Sequence, residues 1–433
     1  MGGAGGNSDP EPNDAGPGDA PSNPGSDANP PASGVCDYTP KANATQIKLK
    51  FKKLNVPGVP TNAGARGGGY ANGLTEFRFV PGAPNEFLML QKSGRITHYR
   101  LEGNGATMVG ALSGLSGVET NEDCGLLSMA FDPDFTTNRL IYVGYCTGNT
   151  ASQLRRFKWE GTSLSDGQNI ITFNSGGAGR SWHSVGSMGF DSAKNLWMLH
   201  GEFNSGNPAQ ELGSSLGKLI RVVPNRTAGM GGFQPAEGNP MAGAGGTRGA
   251  LYAWGLRSPW RGWLDARGRY IVGDVQNTNN EEVNIATQGG RNFGHPSCNG
   301  GGCTNALIRW DNGNDPYLGQ GDEAKEGRQG RVVWIGAQYG DCGNDKYSGA
   351  LTGVQLFGDF FTGWVRGMVL DESNNKTKDA HLGTLGTISS WDQNKADGYL
   401  YLAKFGQYHQ GADSEQSGFY RVCQDTDNSP ACM

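Results

Sequence analysis

Three features of this sequence could do chemistry. His183 stands immediately before an apolar alternating run in WHSVGSMGFD, and it is one of six histidines. An imidazole is the side chain best matched to moving a proton near neutrality. Arg257, in the turn GLRSPWR, is a permanent cation of the kind that steadies a developing negative charge. Between Gly255 and Pro296, Asp274, Glu281 and Glu282 then crowd oxygen ligands into what reads as a loop, followed by a glycine-rich bend, GGRNFGHP. Strand propensity alone does not ask for such an acidic pair.

The elements that must position these residues are short strands. Trp263, Tyr270 and Val272 flank a tight Asp265–Gly268 connection, which reads as a β-hairpin. The same theme, an apolar strand, a turn of Asp, Asn, Gly or Pro and a second apolar strand, recurs at residues 75–101, 127–146, 186–202, 261–275, 351–370 and 388–406. Residues 47–54 form a first alternating strand ahead of them. Six small repeated sheets bury their faces against one another by radial repetition. The expectation is an all-β, six-bladed β-propeller over residues 35–433, with residues 1–34 as a disordered tether. Asp341, Asp345 and Asp359 read as turn-forming acids rather than a metal cluster.

Composition agrees. Glycine reaches 72 of 433 residues with no collagen-type period, and 10 tryptophans are scattered through the chain. The net charge of −5 is carried by the first 34 residues, which hold five acids and no base. A near-neutral remainder argues against a nucleic-acid partner. That leader lacks large apolar residues after Met1 and cannot offset its ordering entropy. Eight cysteines without CxxC pairs point to disulfides in an oxidising compartment. Cys124–Cys146 and Cys298–Cys303 are the expected local pairs, and a bridge from Cys36 to Cys423 or Cys432 would reinforce ring closure. No apolar run reaches a membrane span. Met1 leads straight into GGAGGNSDPEPN, so the expectation is a mature exported chain, periplasmic, extracellular or tethered to the outer membrane through a lipid anchor on the native precursor.

The motifs ETNEDCGLLSMAFDPDF, QELGSSLGKLIRV, GLRSPWR, GDV, EEVN and NFGHP occur in this order between about residues 120 and 296. The chain therefore resembles the glucose/sorbosone dehydrogenase family. The resemblance implies a sugar dehydrogenase that carries pyrroloquinoline quinone (PQQ) in the propeller mouth, with calcium, and passes electrons from a small sugar to an external acceptor. It assigns His183 as the base for the C1 hydroxyl and Arg257 as the cation beside the quinone oxygen. Asp123, Ser258, Val275, Gln276 and Asn277 fall at cofactor-side positions, with Lys346 and Arg366 as candidates for the quinone's carboxylates. Glu282 and the carbonyl of Phe293 match the calcium ligands.

Three positions depart from the family pattern. Trp182 stands where a polar residue is usual, Ser258 replaces an asparagine, and Gln276 replaces a glycine. These departures motivate a second reading, a redox-inactive calcium-containing propeller that binds carbohydrate or a protein. A lactonase-like hydrolase with a central calcium is a third.

Overall fold

A computed structural model describes residues 36–65, 68–276, 280–298, 302–311, 332–406 and 416–433. The tether, Asn277 and His409 lie outside these residues. Strand β1 (Leu49–Lys53) precedes blade 1, which holds β2 (Leu74–Val80), β3 (Ala83–Gln91), β4 (Ile96–Glu102) and β5 (Gly105–Leu112). Blade 2 comprises β6 (Leu126–Phe131), β7 (Leu140–Gly148), β8 (Ala151–Glu160) and β9 (Ser163–Asn174), with one helical turn, α1 (Phe135–Asn138), between its first two strands. Blade 3 holds β10 (Val185–Phe190), β11 (Leu196–His200), β12 (Lys218–Pro224), β13 (Phe233–Pro235) and, after α2 (Gly246–Ala250), β14 (Leu251–Trp254). Blade 4 is β15 (Arg261–Leu264), β16 (Tyr270–Val275), β17 (Asn280–Ala286) and β19 (Ile308–Asp311); the short β18 (Arg291–Asn292), between the last two of these, pairs parallel with β14 of blade 3. Blade 5 runs β20 (Val333–Gln338), β21 (Gln355–Asp359), β22 (Trp364–Leu370) and β23 (Lys376–Thr384). Blade 6 is β24 (Ile388–Gln393), β25 (Leu400–Lys404), β26 (Gly418–Gln424) and β1, which pairs antiparallel with β26.

Six sheets thus surround one axis. Their first strands neighbour one another in the order β2, β6, β10, β15, β20, β24 and back to β2. The apolar residues segregate into six clusters, each between consecutive blades. Leu88, Leu90, Met129 and Val143 join blades 1 and 2, for example, and Phe77, Phe87, Tyr401 and Phe419 join blades 6 and 1. A four-stranded sheet with two apolar faces cannot be stable alone, and the ring supplies each face with a partner. Gly144 shows how tight the contact is: a Cβ there would meet Met188 and Val185 of the next blade at 2.8 Å.

The structure corrects three expectations. Main-chain pairing of β1 with β26 closes the ring, whereas Cys36 bonds Cys342 in blade 5 and Cys423 bonds Cys432 locally. The pairs Cys124–Cys146 and Cys298–Cys303 form as expected. The repeat at 351–370 is the second and third strand of its blade, its innermost strand being β20. Glu281 and Glu282 belong to a strand, not a loop, because β17 pairs with β16 in register through Glu282↔Asp274 and Glu281↔Val275. Asp341, Asp345 and Asp359 accept backbone N–H groups of their own turns, as anticipated.

At the seam between blades 6 and 1, the buried Asp392 accepts the Phe79 N–H at 3.1 Å. Burial pushes its carboxyl up to about 6. A folded-state value above the unfolded one means that the folded chain binds the extra proton, so stability is lost as pH rises from about 4 to 6. Relative to Asp392→Asn, wild type should lose on the order of 3 kcal/mol across that window in denaturant titrations. Parallel pH profiles would show that Asp392 contributes no such slope.

Candidate functional site

The first strands begin at one end of the ring, and there a cavity of about 390 Å³ opens on the axis. Every blade contributes to it: Thr75, Leu127, Val185, Arg261, Val332 and Ser389 lie at or next to the starts of the six first strands. Its volume falls in the roughly 300–1,000 Å³ range of small-molecule sites. The wall from blades 1–3 is polar, with Lys92, Glu122, Asp123 and His183. Blades 4–6 bring the aromatic surface, with Trp260, Phe360, Phe361 and Phe405, and blade 4 also adds the charged Arg261 and Glu281.

Arg261 occupies the axis. It is buried, and its guanidinium donates to the carbonyls of Ser389 (2.6 Å) and Thr75 (2.7 Å), from blades 6 and 1, as well as to its neighbour Trp260 (3.1 Å). Burial pulls this cation down to about 10.

His183 lines the cavity just ahead of β10. Its backbone has φ +53°, in the left-handed region. The chain there is pressed against Gly201, where a Cβ would stand 2.2 Å from the His183 carbonyl oxygen. The imidazole Nδ1 lies 2.5 Å from the Glu202 carboxylate, and the His183 N–H donates to Asp123 (3.3 Å). Glu202, at 1% exposure, also accepts the Gly206 N–H. Burial alone would push this carboxyl up, but the bonds from His183 and Gly206 hold it below the usual range. An Nδ1–H committed to a carboxylate fixes the tautomer in which Nε2 is the basic nitrogen.

Glu202 was not singled out in the sequence, although the signal was present. Val185 pairs with His200 across β10 and β11, so two residues further out His183 must face Glu202.

Arg257 lines the same cavity. Asp274 holds its backbone, accepting N–H groups from Arg257 (3.0 Å) and Ser258 (2.7 Å), and Nη1 donates to the carbonyls of Val275 (2.8 Å) and Gln276. Burial lowers the Arg257 pKa, with Asp274, Glu202 and Glu281 opposing. Gln276 does not protrude freely: its amide donates to Asp274 (2.6 Å) and Glu282 (3.2 Å). Glu281 faces the axial cavity and accepts the Val333 N–H (2.9 Å), and burial raises its pKa well above the ordinary carboxylate value.

Glu282 points to the other side of β17. With Phe293 and His295 it lines a second cleft of about 480 Å³, which shares Gln276 with the first. Burial raises the Glu282 pKa, and Arg309 Nε lies 3.7 Å from its Oε1.

Of the residues read from sequence, His183, Arg257, Asp123, Ser258, Val275 and Gln276 come together in the axial cavity, and Glu282 and Phe293 share the second cleft. Lys346 and Arg366 do not line the axial cavity. Arg366 sits inside blade 5, bonded to Asp379 on the adjacent strand (2.6 Å), and the Lys346 ammonium lies 5.4 Å from the Tyr399 ring. Among the described residues, the cations that line the axial cavity are Lys92, Arg257 and Arg261. Trp182 is half-buried beside the mouth, its ring 6.4 Å from that of His183.

Fold and site together define a class, the six-bladed propeller with a ligand-sized cavity on its axis that sets a few charged groups against apolar walls. Residues 75–404 match the glucose/sorbosone dehydrogenase family, and the chain belongs to it. The aldose sugar dehydrogenase YliI of Escherichia coli (strain K12) is 25% identical over 228 residues, 48% of this chain. That match spans about half the length of the relative, 55%. Among solved structures, the PQQ-bound aldose sugar dehydrogenase of Streptomyces coelicolor aligns over 89% of this chain and 100% of its own, with a TM-score of 0.62 and 19% identity. The apo form of the soluble aldose sugar dehydrogenase from Escherichia coli aligns over 87% and 100%, at 0.61 and 17%. At these identities the structures speak for the fold.

Glu202→Ala leaves the His183 Nδ1–H and the Gly206 N–H without their acceptor. It should lower stability by about 1.5–3 kcal/mol in chemical denaturation. An unchanged midpoint would show that the pair is not formed.

Proposed function

We propose that this chain oxidises an aldose at C1 to the lactone, using PQQ and calcium. The observation that supports this most is that His183, oriented by Glu202, and Arg257 line one axial cavity. His183 Nε2 takes the proton of the C1 hydroxyl, while the Glu202 carboxylate holds the imidazole and stabilises its cationic form. Arg257 supplies positive charge where an oxygen becomes negative. When bound, the quinone supplies the two-electron acceptor for the hydride leaving C1. The aromatic side, Trp260, Phe360 and Phe405, offers flat apolar surface suited to a planar ring system and excludes water.

The residues present fit such a group in cavity size, in flat walls and in cation type. Lys92, Arg257 and Arg261 set the positive charge, and Asp123, Ser258, Val275 and Gln276 border the space. Glu282 and the Phe293 carbonyl are hard oxygen donors in one cleft, the chemistry calcium takes, with Arg309 as the competing cation. An exported chain acting on a small sugar and an external acceptor is consistent with its four disulfides.

One observation favours the redox-inactive reading. Lys92, Arg257 and Arg261 already donate to backbone carbonyls, so fewer N–H groups remain for a tricarboxylate.

Protein supplied with calcium and PQQ should reduce a dye when an aldose is added. His183→Ala should lower kcat by roughly 100-fold or more. Turnover that survives this substitution removes His183 from the mechanism. Calcium should raise the wild-type melting temperature and leave that of Glu282→Gln unmoved. Equal shifts in both proteins would place the ion elsewhere.

A further inference from the structure

Two buried lysines flank the His183–Glu202 pair, and each spends its ammonium on backbone. Lys92, at the end of β3 and 2% exposed, donates to the carbonyls of Gly69 (2.5 Å), Thr120 (2.8 Å) and Glu122 (2.5 Å). Lys218, at the start of β12 and 0% exposed, donates to those of Pro208 (2.7 Å), Ala209 (2.8 Å) and Leu216 (2.6 Å). An ammonium has three N–H donors, and three carbonyls consume them all. Neither lysine therefore has a donor left for a ligand, although Lys92 borders the cavity.

What each cage holds is a loop that touches the pair. The Lys92 cage pins residues 120–122, and the next residue, Asp123, accepts the His183 N–H and, through its carbonyl, the Ser184 hydroxyl (3.2 Å). The Cys124–Cys146 disulfide anchors the far end of the same loop. The Lys218 cage pins Pro208 and Ala209, at the end of the turn whose Gly206 N–H holds the second oxygen of Glu202. One cage thus fixes the histidine's backbone and the other its carboxylate partner.

We propose that Lys92 and Lys218 are positioning residues for the His183–Glu202 pair, acting through the Asp123 and Gly206 loops. Their role in turnover rests on the dehydrogenase reading, whereas their effect on the pair does not. Burial pulls Lys92 down to about 8 and Lys218 to about 7, which marks the cost of keeping these charges inside. A neutral isostere such as methionine removes the shared clamp from each loop: Gly69, Thr120 and Leu216 lose the donor their carbonyls use, while Pro208 and Ala209 keep only the N–H groups of Glu211 and Gly255.

The test uses full-length Lys92→Met and Lys218→Met. Arg421→Met serves as a control that severs half-buried carbonyl contacts to Gly103 and Ala431 at the remote seam of blades 6 and 1. The readout is the downfield proton NMR signal of the His183 Nδ1–H, identified by its absence in Glu202→Ala. Both lysine variants should lose or shift this signal, and Arg421→Met should keep it while lowering the melting temperature. With PQQ and calcium, the lysine variants should lose roughly 10- to 100-fold in kcat with little change in KM. If the lysine variants only melt earlier and retain the signal, the positioning role is overturned. If wild type shows the signal and the lysine variants lose it, but no protein oxidises an aldose, the positioning role stands and the dehydrogenase reading falls. Should the methionine variants not fold, Lys92→Gln and Lys218→Gln, which keep two donors, are read by the same signal.

Discussion

The structure depends on how the ring is satisfied at its centre. Six first strands bring their N-terminal ends to one axis, where unpaired backbone carbonyls would be costly. Arg261 answers this with one side chain, binding carbonyls of Ser389, Trp260 and Thr75 from three different blades. A guanidinium suits the task because its donors fan out in a plane. Arg261 also sets the cavity floor, so the residue that ties the blades together fixes where a ligand must stop. The outer seam, β1 on β26 within blade 6, closes the ring through main-chain hydrogen bonds, while Cys423 bonds Cys432 locally.

Given that frame, chemistry is divided between the two halves of the ring. Blades 1–3 bring Lys92, Asp123 and His183 and blade 4 adds Arg261 and Glu281, while the aromatic surface comes from blades 4–6. Arg257 stands where the halves meet, on the turn leading into blade 4. Asp274 organises that turn by accepting the Arg257 and Ser258 N–H groups and the Gln276 amide, and burial pushes its carboxyl up to about 7, Glu282 adding to the effect. The same strand pair then sends Glu281 to the axial cavity and Glu282 to the second cleft, because successive side chains on a strand face opposite ways. Two sites of different character are thereby built from adjacent residues.

Much of this was legible in the sequence where the signal is local. The hairpin around Asp265–Gly268, the sixfold theme and the pairs Cys124–Cys146 and Cys298–Cys303 follow from spacing and turn residues, whereas the local pair Cys423–Cys432 does not. The innermost strand of blade 5 was not legible as part of its repeat, because VVWIGAQ follows a long polar stretch and the next hairpin carries the stronger pattern. The acidic pair read as a loop since two glutamates are poor strand formers, yet pairing with β16 overrides that preference. Lys346 and Arg366 looked like cofactor cations on residue type alone, and only tertiary position sends them elsewhere. Lys92 and Lys218 are the converse: a lysine at a strand end usually reads as solvated, and nothing local reveals a cage assembled from distant carbonyls. The partner of Cys36, 306 residues away in sequence, belongs to the same category.

We propose that the axial cavity, not merely the fold, takes an acidic quinone beside His183. Calorimetric titration of the calcium-loaded protein with PQQ tests it most directly. Saturable one-to-one binding at or below tens of micromolar, retained in Lys346→Ala and Arg366→Ala but abolished by Arg257→Ala, is the predicted result. No heat of binding in that range would contradict the account and leave a propeller that kept its architecture without the redox cofactor.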